Sequence, residues 1–167
     1  MARIAIGILI TGFLIFYPLV LTGSNYNKLI LVEIQKNSLK LFENGELKKE
    51  FPVRVGKKET PTPTGEGYIF EKREGAIFRY QDPPNKGKII RWSSLSDGRI
   101  IKVPYKKIRA LGFRIKGHHT DKYSIHSVTD PATIGQAVSN GCIGMKIEDM
   151  LELYPLVEKG TKLIIVP

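Results

Sequence analysis

The chain has 167 residues, of which 42% are hydrophobic and 25% charged, with 26 Lys and Arg against 16 Asp and Glu. This length fits one ordinary domain, and the composition supports a buried core, which excludes wholesale disorder. A single cysteine excludes a disulfide within the chain and a zinc site built from several thiolates. The sequence therefore predicts a small basic globular domain with one free thiol.

The first 24 residues differ in composition from the rest of the chain. Residues 4–21 are apolar apart from mild interruptions, and Arg3 is the only charged residue of the segment. Such a stretch is typical of a signal peptide or a membrane anchor, with a buried central helix as the alternative. Because the positive charge precedes the apolar residues, we expect the domain formed by residues 25–167 to lie outside the cytoplasm, in the cell envelope.

The predicted exported domain is strongly basic, with 25 positive and 16 negative side chains and a formal net charge of +9. Ten of the positive residues and one acid, Asp97, fall between Lys86 and Lys116. An exported protein rarely meets nucleic acid, so we expect no such partner and instead anionic wall polymers or an anionic membrane surface. A solvated face without a partner is the alternative.

Most of the domain has the pattern of short strands. Residues 29–55 form three apolar or alternating segments, the third at residues 51–55, and Asn44-Gly45 before it is a strong hairpin signal. Further core strands are predicted at residues 111–115 and 123–126. These segments predict a mainly β domain.

Two segments have a helical pattern. Residues 131–138 allow a turn or two of helix, and residues 147–154 have the apolar spacing of one helix face, with acids in the first turn. Strand and helix patterns do not alternate along the chain, which excludes a doubly wound sheet. We therefore predict a β-sandwich or a curled mixed sheet with one flanking helix, preceded by the N-terminal apolar helix.

The lone thiol stands in an unusual local sequence. Taken alone, Cys142 would be interpreted as a small buried hydrophobic residue. However, Gly141 and Gly144 flank it closely, and glycine allows tight turns and the close approach of a substrate to the backbone. His126 stands sixteen residues upstream, and a nucleophilic thiol needs such a base nearby. The pattern favours a Cys142–His126 pair at the lip of a groove.

The residues from Ile125 to Met145 resemble the signature of the L,D-transpeptidase catalytic domain, the YkuD-type family. That signature has a histidine, a spacer, and then a Gly-Cys pair followed by an apolar residue. Residues 61–65 are similar to the Thr-Pro-Thr-Gly loop of the family, and residues 111–115 to the strand before the histidine. The resemblance extends over most of the chain, from about residue 29 to residue 166.

The resemblance implies an exported, cofactor-independent cysteine acyltransferase that acts on peptidoglycan stem peptides. The Cys142 thiolate would attack a stem-peptide carbonyl and release D-alanine, and an amine would then accept the acyl group while His126 moves the protons. The amides of Gly141 and Cys142 are candidate oxyanion donors. Ser127 would orient the imidazole or merely bond the backbone, and Ser139 would contact substrate or cap the turn.

Two positions depart from the family pattern. Asn140 stands where a second histidine is common, and it is a candidate substrate contact because it still donates a hydrogen bond. Gly144 stands where an arginine usually follows, so a rigid bidentate donor is missing. Because the nucleophile and the base both remain, we expect activity with an altered substrate preference or a reduced rate.

Three histidines within nine residues raise the question of a metal site. His118 and His119 are adjacent, and on a strand adjacent side chains point to opposite faces. We therefore predict no metal site. Two alternatives to the transpeptidase remain: a thiol carboxypeptidase that transfers the acyl group to water, and a catalytically weakened, basic wall-binding module.

Overall fold

The computed structural model describes residues 27–75, 79, 83–118 and 120–167. The predicted leader, residues 1–24, lies outside these described residues. Twelve strands and one α-helix make up the described part of the chain, in this order: β1 (Lys28–Glu33), β2 (Ser38–Glu43), β3 (Glu46–Pro52), β4 (Val55–Gly56), β5 (Gly65–Glu74), β6 (Trp92–Ser94), β7 (Ile100–Lys102), β8 (Arg109–Ile115), β9 (Ser124–Ser127), β10 (Ala137–Ser139), β11 (Ile143–Met145), α1 (Ile147–Leu153) and β12 (Lys162–Val166).

A mixed eight-stranded sheet dominates the domain, with strand order β11-β9-β8-β5-β12-β1-β2-β3. Most neighbours are antiparallel, but β1 pairs in parallel with β12 and β11 pairs in parallel with β9. Two further pairs, β10–β4 and β6–β7, form small separate sheets. The domain is thus mainly β, with a curled mixed sheet and one short α-helix, as the sequence pattern predicted.

The predicted three-strand meander is present, but its third strand is displaced. Asn44 and Gly45 both have positive φ, which suits the tight turn between β2 and β3. The third strand begins at Glu46 rather than at Phe51. The sequence pattern did not predict residues 46–50 as strand, because they form an exposed sheet edge and have no apolar alternation. After Pro52 the chain leaves the large sheet, and Val55–Gly56 pairs with β10 instead.

The core lies between the sheet and α1. Fully buried residues from the strands include Ile30, Leu39 and Phe113, and α1 adds Met150 and Leu153 from its inner face. This confirms the prediction of a helix at residues 147–154, which continues as a short 3-10 helix through Leu156. None of the helices in the described part of the chain is both long enough and apolar enough to cross a membrane.

The helical pattern at residues 131–138 corresponds to one turn of helix, within the turn or two that the sequence allowed. Only Pro131–Thr133 is helical, as a single 3-10 turn that Asp130 caps by accepting a hydrogen bond from Ala132 N–H. Residues 137–139 then form β10, paired in parallel with β4. This pairing joins residues about 80 positions apart in the sequence. It holds residues 137–139, which precede Cys142 in the sequence, against the segment around Arg54.

Candidate active site

The parallel pairing of β9 and β11 brings Cys142 and His126 to one face of the sheet. In this register Ile143 lies beside Ile125 and Gly144 lies beside His126. Cys142, one position before β11, therefore lies beside Ser124, and its Sγ is 3.9 Å from the Ser124 hydroxyl. Because side chains alternate along a strand, Ser124 and His126 point to the same face. The thiol and the imidazole thus share that face, and the backbone positions that carry them are about 7 Å apart along the strand direction.

The thiol is accessible at the end of the sheet. Cys142 is half-buried, and its Sγ lies 3.8 Å from the carbonyl oxygen of Lys122. The sulfur has two polar contacts among the described residues, the Lys122 carbonyl and the Ser124 hydroxyl. These surroundings differ from those of a buried structural cysteine, which packs among apolar side chains.

The loop before Cys142 is organised by Ser139. The buried Ser139 hydroxyl donates a 2.5 Å hydrogen bond to the Cys142 carbonyl and accepts a 3.1 Å bond from Gly141 N–H. Ser139 therefore caps the turn that presents the thiol. The N–H of Gly141 is engaged by this bond, whereas that of Cys142 has no acceptor among the described residues.

Glycine is required at position 141 on two grounds. Its φ is +96°, a conformation that other residues rarely adopt. A β-carbon at this position would also lie 2.7 Å from the Tyr123 ring and 3.2 Å from the Pro61 carbonyl oxygen. The Tyr123 ring cannot readily move aside, because it stacks on Phe113 with ring centroids 6.0 Å apart. Gly141 thus allows the cysteine loop to pack directly against the proline-rich loop.

The proline-rich loop is fixed by Thr62, which is buried. The Thr62 hydroxyl accepts a 2.8 Å hydrogen bond from Gly56 N–H, and a β-carbon at Gly56 would lie only 2.4 Å from Thr62 N. The preceding Thr60 hydroxyl donates to the Ser139 carbonyl at 3.3 Å and to the exposed Asn140 side-chain oxygen at 3.4 Å. Asn140 therefore lies at the surface between the two loops.

The position of the His126 ring hydrogen follows from its neighbour. Nδ1 is 2.9 Å from the carbonyl oxygen of Ser127, and a carbonyl can only accept. Nδ1 therefore carries the hydrogen, which leaves Nε2 as the basic nitrogen. Burial lowers the pKa of His126 to about 4, although its bond to Ser127 acts in the opposite direction. The imidazole is therefore neutral at pH 7.

The Ser127 side chain points away from the imidazole. It is buried, and its hydroxyl accepts a 3.1 Å hydrogen bond from Arg109 N–H on the neighbouring strand β8. The group of Ser127 that meets the His126 ring is its backbone carbonyl, 2.9 Å from Nδ1. Of the two roles considered from the sequence, the hydroxyl has the backbone-bonding one.

Arg54 is a site residue that the sequence analysis did not single out. Arg54 and Gly144 exchange two backbone hydrogen bonds of 2.9 Å each, and the Arg54 side chain lies across Gly144. Its Nη1 donates to the Thr133 hydroxyl at 3.2 Å. Burial lowers the pKa of Arg54. The available signal was a lone charge within the otherwise apolar segment Phe51–Val55.

The described residues contain no group of three or more His, Cys, Asp or Glu side chains that could hold a metal ion. His118 is exposed and follows β8, and its neighbour His119 lies outside the described residues. His126 is the one histidine of the three that the described structure places beside Cys142.

Comparison with known proteins identifies the family. The model of the L,D-transpeptidase catalytic domain matches residues 27–165, which is more than half of the chain. The chain therefore belongs to the L,D-transpeptidase catalytic domain family, as the motif resemblance predicted. It is 35% identical over 139 residues to the L,D-transpeptidase YkuD of Bacillus subtilis, which covers 81% of this chain and 64% of that protein.

Other relatives give the same picture. The YkuD protein of Bacillus licheniformis is 34% identical over 140 residues, which cover 83% of this chain and 65% of that protein. The chain thus spans just under two thirds of the length of these curated relatives. An L,D-transpeptidase structure from Mycobacterium smegmatis superposes with a TM-score of 0.63 at 18% identity, over 84% of this chain and 59% of that one. The structure of the catalytic domain of the Enterococcus faecium L,D-transpeptidase superposes with a TM-score of 0.57 at 25% identity. The match covers 86% of this chain and 100% of that one.

Proposed function

We propose that the protein is an exported peptidoglycan L,D-transpeptidase that uses Cys142 as its nucleophile. One observation carries the proposal: in a member of this family, an accessible thiol and a neutral imidazole share one face of two paired strands. The substrate would be a stem peptide that ends in D-alanine, and the acceptor an amine of a neighbouring stem. Residues 4–21 would direct the catalytic domain across the membrane.

The first step is attack by sulfur on the carbonyl carbon of the L-residue joined to D-alanine. Nε2 of His126 takes the thiol proton as the S–C bond forms, and the carbonyl oxygen gains negative charge. A base with a pKa well below 7 is already unprotonated at neutral pH, so no proton has to leave the imidazole first. The Ser127 carbonyl holds the ring in the tautomer that carries its hydrogen on Nδ1 and leaves Nε2 unprotonated.

The developing oxyanion needs hydrogen-bond donors that are already in place. We assign this role to the N–H of Cys142, which is without an acceptor among the described residues. The Gly141 N–H is a poorer candidate because it donates to Ser139. Gly141 and Ser139 would instead shape the turn, and Asn140 would contact the substrate from the surface between the two loops.

The second half of the cycle returns the enzyme to its starting state. The imidazolium of His126 gives its proton to the departing nitrogen, D-alanine leaves, and a thioester to Cys142 remains. The acceptor amine then attacks the thioester and loses a proton to His126, which passes it to the sulfur as the new amide is released. A water acceptor would give a carboxypeptidase by the same steps.

The basic segment Lys86–Lys116 would contact an anionic wall polymer. It includes the β6–β7 hairpin, in which Trp92 and Ile100 are 57% and 68% exposed and lie on one face. The hairpin is held next to the site by a hydrogen bond between the Ser93 and Thr129 hydroxyls and by one from Ser96 N–H to Asp130. Binding to wall fragments that weakens with added salt would support this contact.

Mass spectrometry of the domain incubated with a tetrapeptide stem tests the proposal. We expect an acyl adduct on Cys142 that is absent from Cys142→Ser, and transfer of that acyl group to an added amine. Loss of the adduct to water alone would favour the carboxypeptidase. A folded domain that binds wall fragments but never forms the adduct would support the wall-binding module and refute both enzymes. Lys159→Gln, an exposed change far from the site, serves as the matched control.

A further inference from the structure

Three residues on three adjacent chain segments form a row across the site. His126 on β9 lies beside Gly144 on β11, and Gly144 lies beside Arg54 on the segment between β3 and β4. Residues directly opposite each other in paired strands point to the same face. Arg54 is therefore on the face that holds the imidazole and the thiol of Cys142, separated from His126 only by a residue without a side chain.

Gly144 makes room for the arginine. A β-carbon at this position would lie 2.6 Å from both Cγ and Nε of Arg54 and 2.6 Å from the Val128 side chain. The backbone of Gly144 has no positive φ, so its conformation alone does not demand glycine. Any side chain at position 144 and the present position of Arg54 exclude one another. Glycine at position 144 is thus explained by the Arg54 side chain, which occupies the space that a side chain at this position would need.

The Arg54 guanidinium is only partly satisfied. Nη1 donates to Thr133, but the buried Nε–H has no hydrogen-bond acceptor among the described residues. A guanidinium that is partly desolvated and incompletely bonded keeps a strong field around it. A cation held this way is suited to interact with charge that appears nearby during a reaction.

The titratable and charged groups that interact with Arg54 or with His126 include the proposed catalytic pair. Arg54 interacts electrostatically with Cys142 and with Asp130, and it helps to lower the pKa of His126 after the larger effect of burial. Arg73 on β5 acts on His126 in the same direction, after Arg54. Asp130 is already engaged by Ser96 and by the turn that it caps.

We propose that Arg54 is a positioning residue that supplies, across Gly144, a fixed positive charge which stabilises negative charge on the Cys142 sulfur. This inference rests on the proposed roles of Cys142 and His126. Its test uses no stem peptide, so it can fail or succeed independently of the substrate assignment.

The rate of Cys142 alkylation by iodoacetamide at pH 7 is the main test. For Arg54→Gln we expect this rate to fall by about tenfold, since a neighbouring cation favours negative charge on the sulfur by roughly that factor. Arg54→Lys keeps the charge, and its rate should stay within about threefold of that of the wild type. Arg73→Gln is the matched control: its guanidinium is more exposed, so its effect should be small.

Moving the arginine gives a second test. In Arg54→Ala combined with Gly144→Arg and Val128→Ala, both side chains that a β-carbon at position 144 would meet are shortened. A guanidinium then enters the same space from β11, and the alkylation rate should return toward that of the wild type. Gly144→Arg alone places its side chain in the space of Arg54 and Val128 and should destabilise the domain. A folded Arg54→Gln with an unchanged rate, or a folded triple variant that reacts as slowly as Arg54→Ala combined with Val128→Ala, overturns the proposal.

The pKa of His126, measured by NMR titration, is a readout that would not change if Arg54 had a purely structural role. In the Arg54→Gln protein, the pKa of His126 should rise from about 4, because a repelling cation has been removed. If Arg54→Gln does not fold, Arg54→Lys decides the question. An alkylation rate of Arg54→Lys as low as that expected without the charge contradicts the proposal, and a rate near that of the wild type supports it.

Discussion

The hydroxyl of Ser139 donates a 2.5 Å hydrogen bond to the carbonyl of Cys142, and this bond closes the turn that carries the thiol. The same oxygen accepts from Gly141 N–H. The orientation of the nucleophile therefore depends on a buried side chain three residues earlier in the sequence.

Ser139→Ala should lower both stability and thiol reactivity. It leaves one carbonyl and one N–H without their partner, which we expect to cost about 1–2 kcal/mol in the free energy of unfolding. Urea unfolding and the iodoacetamide rate at pH 7 measure the two effects. Ser38→Ala is the control, since Ser38 is also buried and bonded but lies on β2. Equal loss of reactivity in both variants would contradict the assigned role of Ser139.

Gly141→Ala should damage the domain more than alanine at another positive-φ glycine. Backbone strain of about 1 kcal/mol applies at Gly141 and at Gly160, whose φ values are +96° and +89°. At Gly160 a β-carbon meets nothing within 4 Å, whereas at Gly141 it meets Tyr123. The difference between the two unfolding free energies isolates the steric part. Equal losses would show that the loops do not pack as tightly as described.

Stability should fall as the pH drops from 7 to 5, in part through His126. Its pKa is about 4 in the folded protein and about 6.5 in an unfolded chain, so the unfolded state binds more protons between these values. Between pH 7 and pH 5, the contribution of the neutral ring to the free energy of unfolding thus falls by about 2 kcal/mol. His126→Asn does not titrate there, and the pH dependence of its unfolding should be smaller by that amount. Parallel curves for the two proteins would mean that the histidine is not buried in its neutral form.

Thr62→Val should loosen the proline-rich loop. Valine has the same shape but cannot accept the hydrogen bond from the buried Gly56 N–H, so we expect a cost of about 1–3 kcal/mol. Thr64→Val, at an exposed position of the same loop, should change stability by less than about 0.5 kcal/mol. Thermal unfolding of the two variants compares them directly. A loss at Thr64 as large as that at Thr62 would point to a general need for threonine in the loop rather than to this bond.

Local sequence patterns were enough to predict the mainly β fold, the helix at residues 147–154 and the candidate pair Cys142 and His126. Each of these features has a short-range signature: an alternating strand, the apolar face of a helix, or a glycine-flanked cysteine. The edge strand at residues 46–50 has none, because its side chains are exposed and charged. Its pairing with β2 is dictated by the turn at Asn44-Gly45 rather than by its own composition.

The contacts of Arg54 could not be read from local patterns. They depend on a bridge to Gly144 and on a two-residue strand that pairs with β10, and neither has a sequence periodicity. The hydrogen bond from Gly141 N–H depends on the turn geometry. From the sequence alone, the amides of Gly141 and Cys142 were therefore equal candidates for hydrogen-bond donors to the oxyanion. The contacts of Arg54 thus join segments far apart in the chain, whereas the bond of Gly141 is local and depends on a turn geometry that the sequence does not specify.

The place of β12 in the sheet bears on how the domain is made. This strand, residues 162–166, lies between β1 and β5, with hydrogen-bonded neighbours on both sides. Until it has left the ribosome, β1 and β5 cannot be joined into one sheet. Since long-range pairing of this kind is slow to form, we expect the sheet to stay incomplete until β12 has been made. The thiol would then reach its place in the site only after residues 162–166 have joined the sheet.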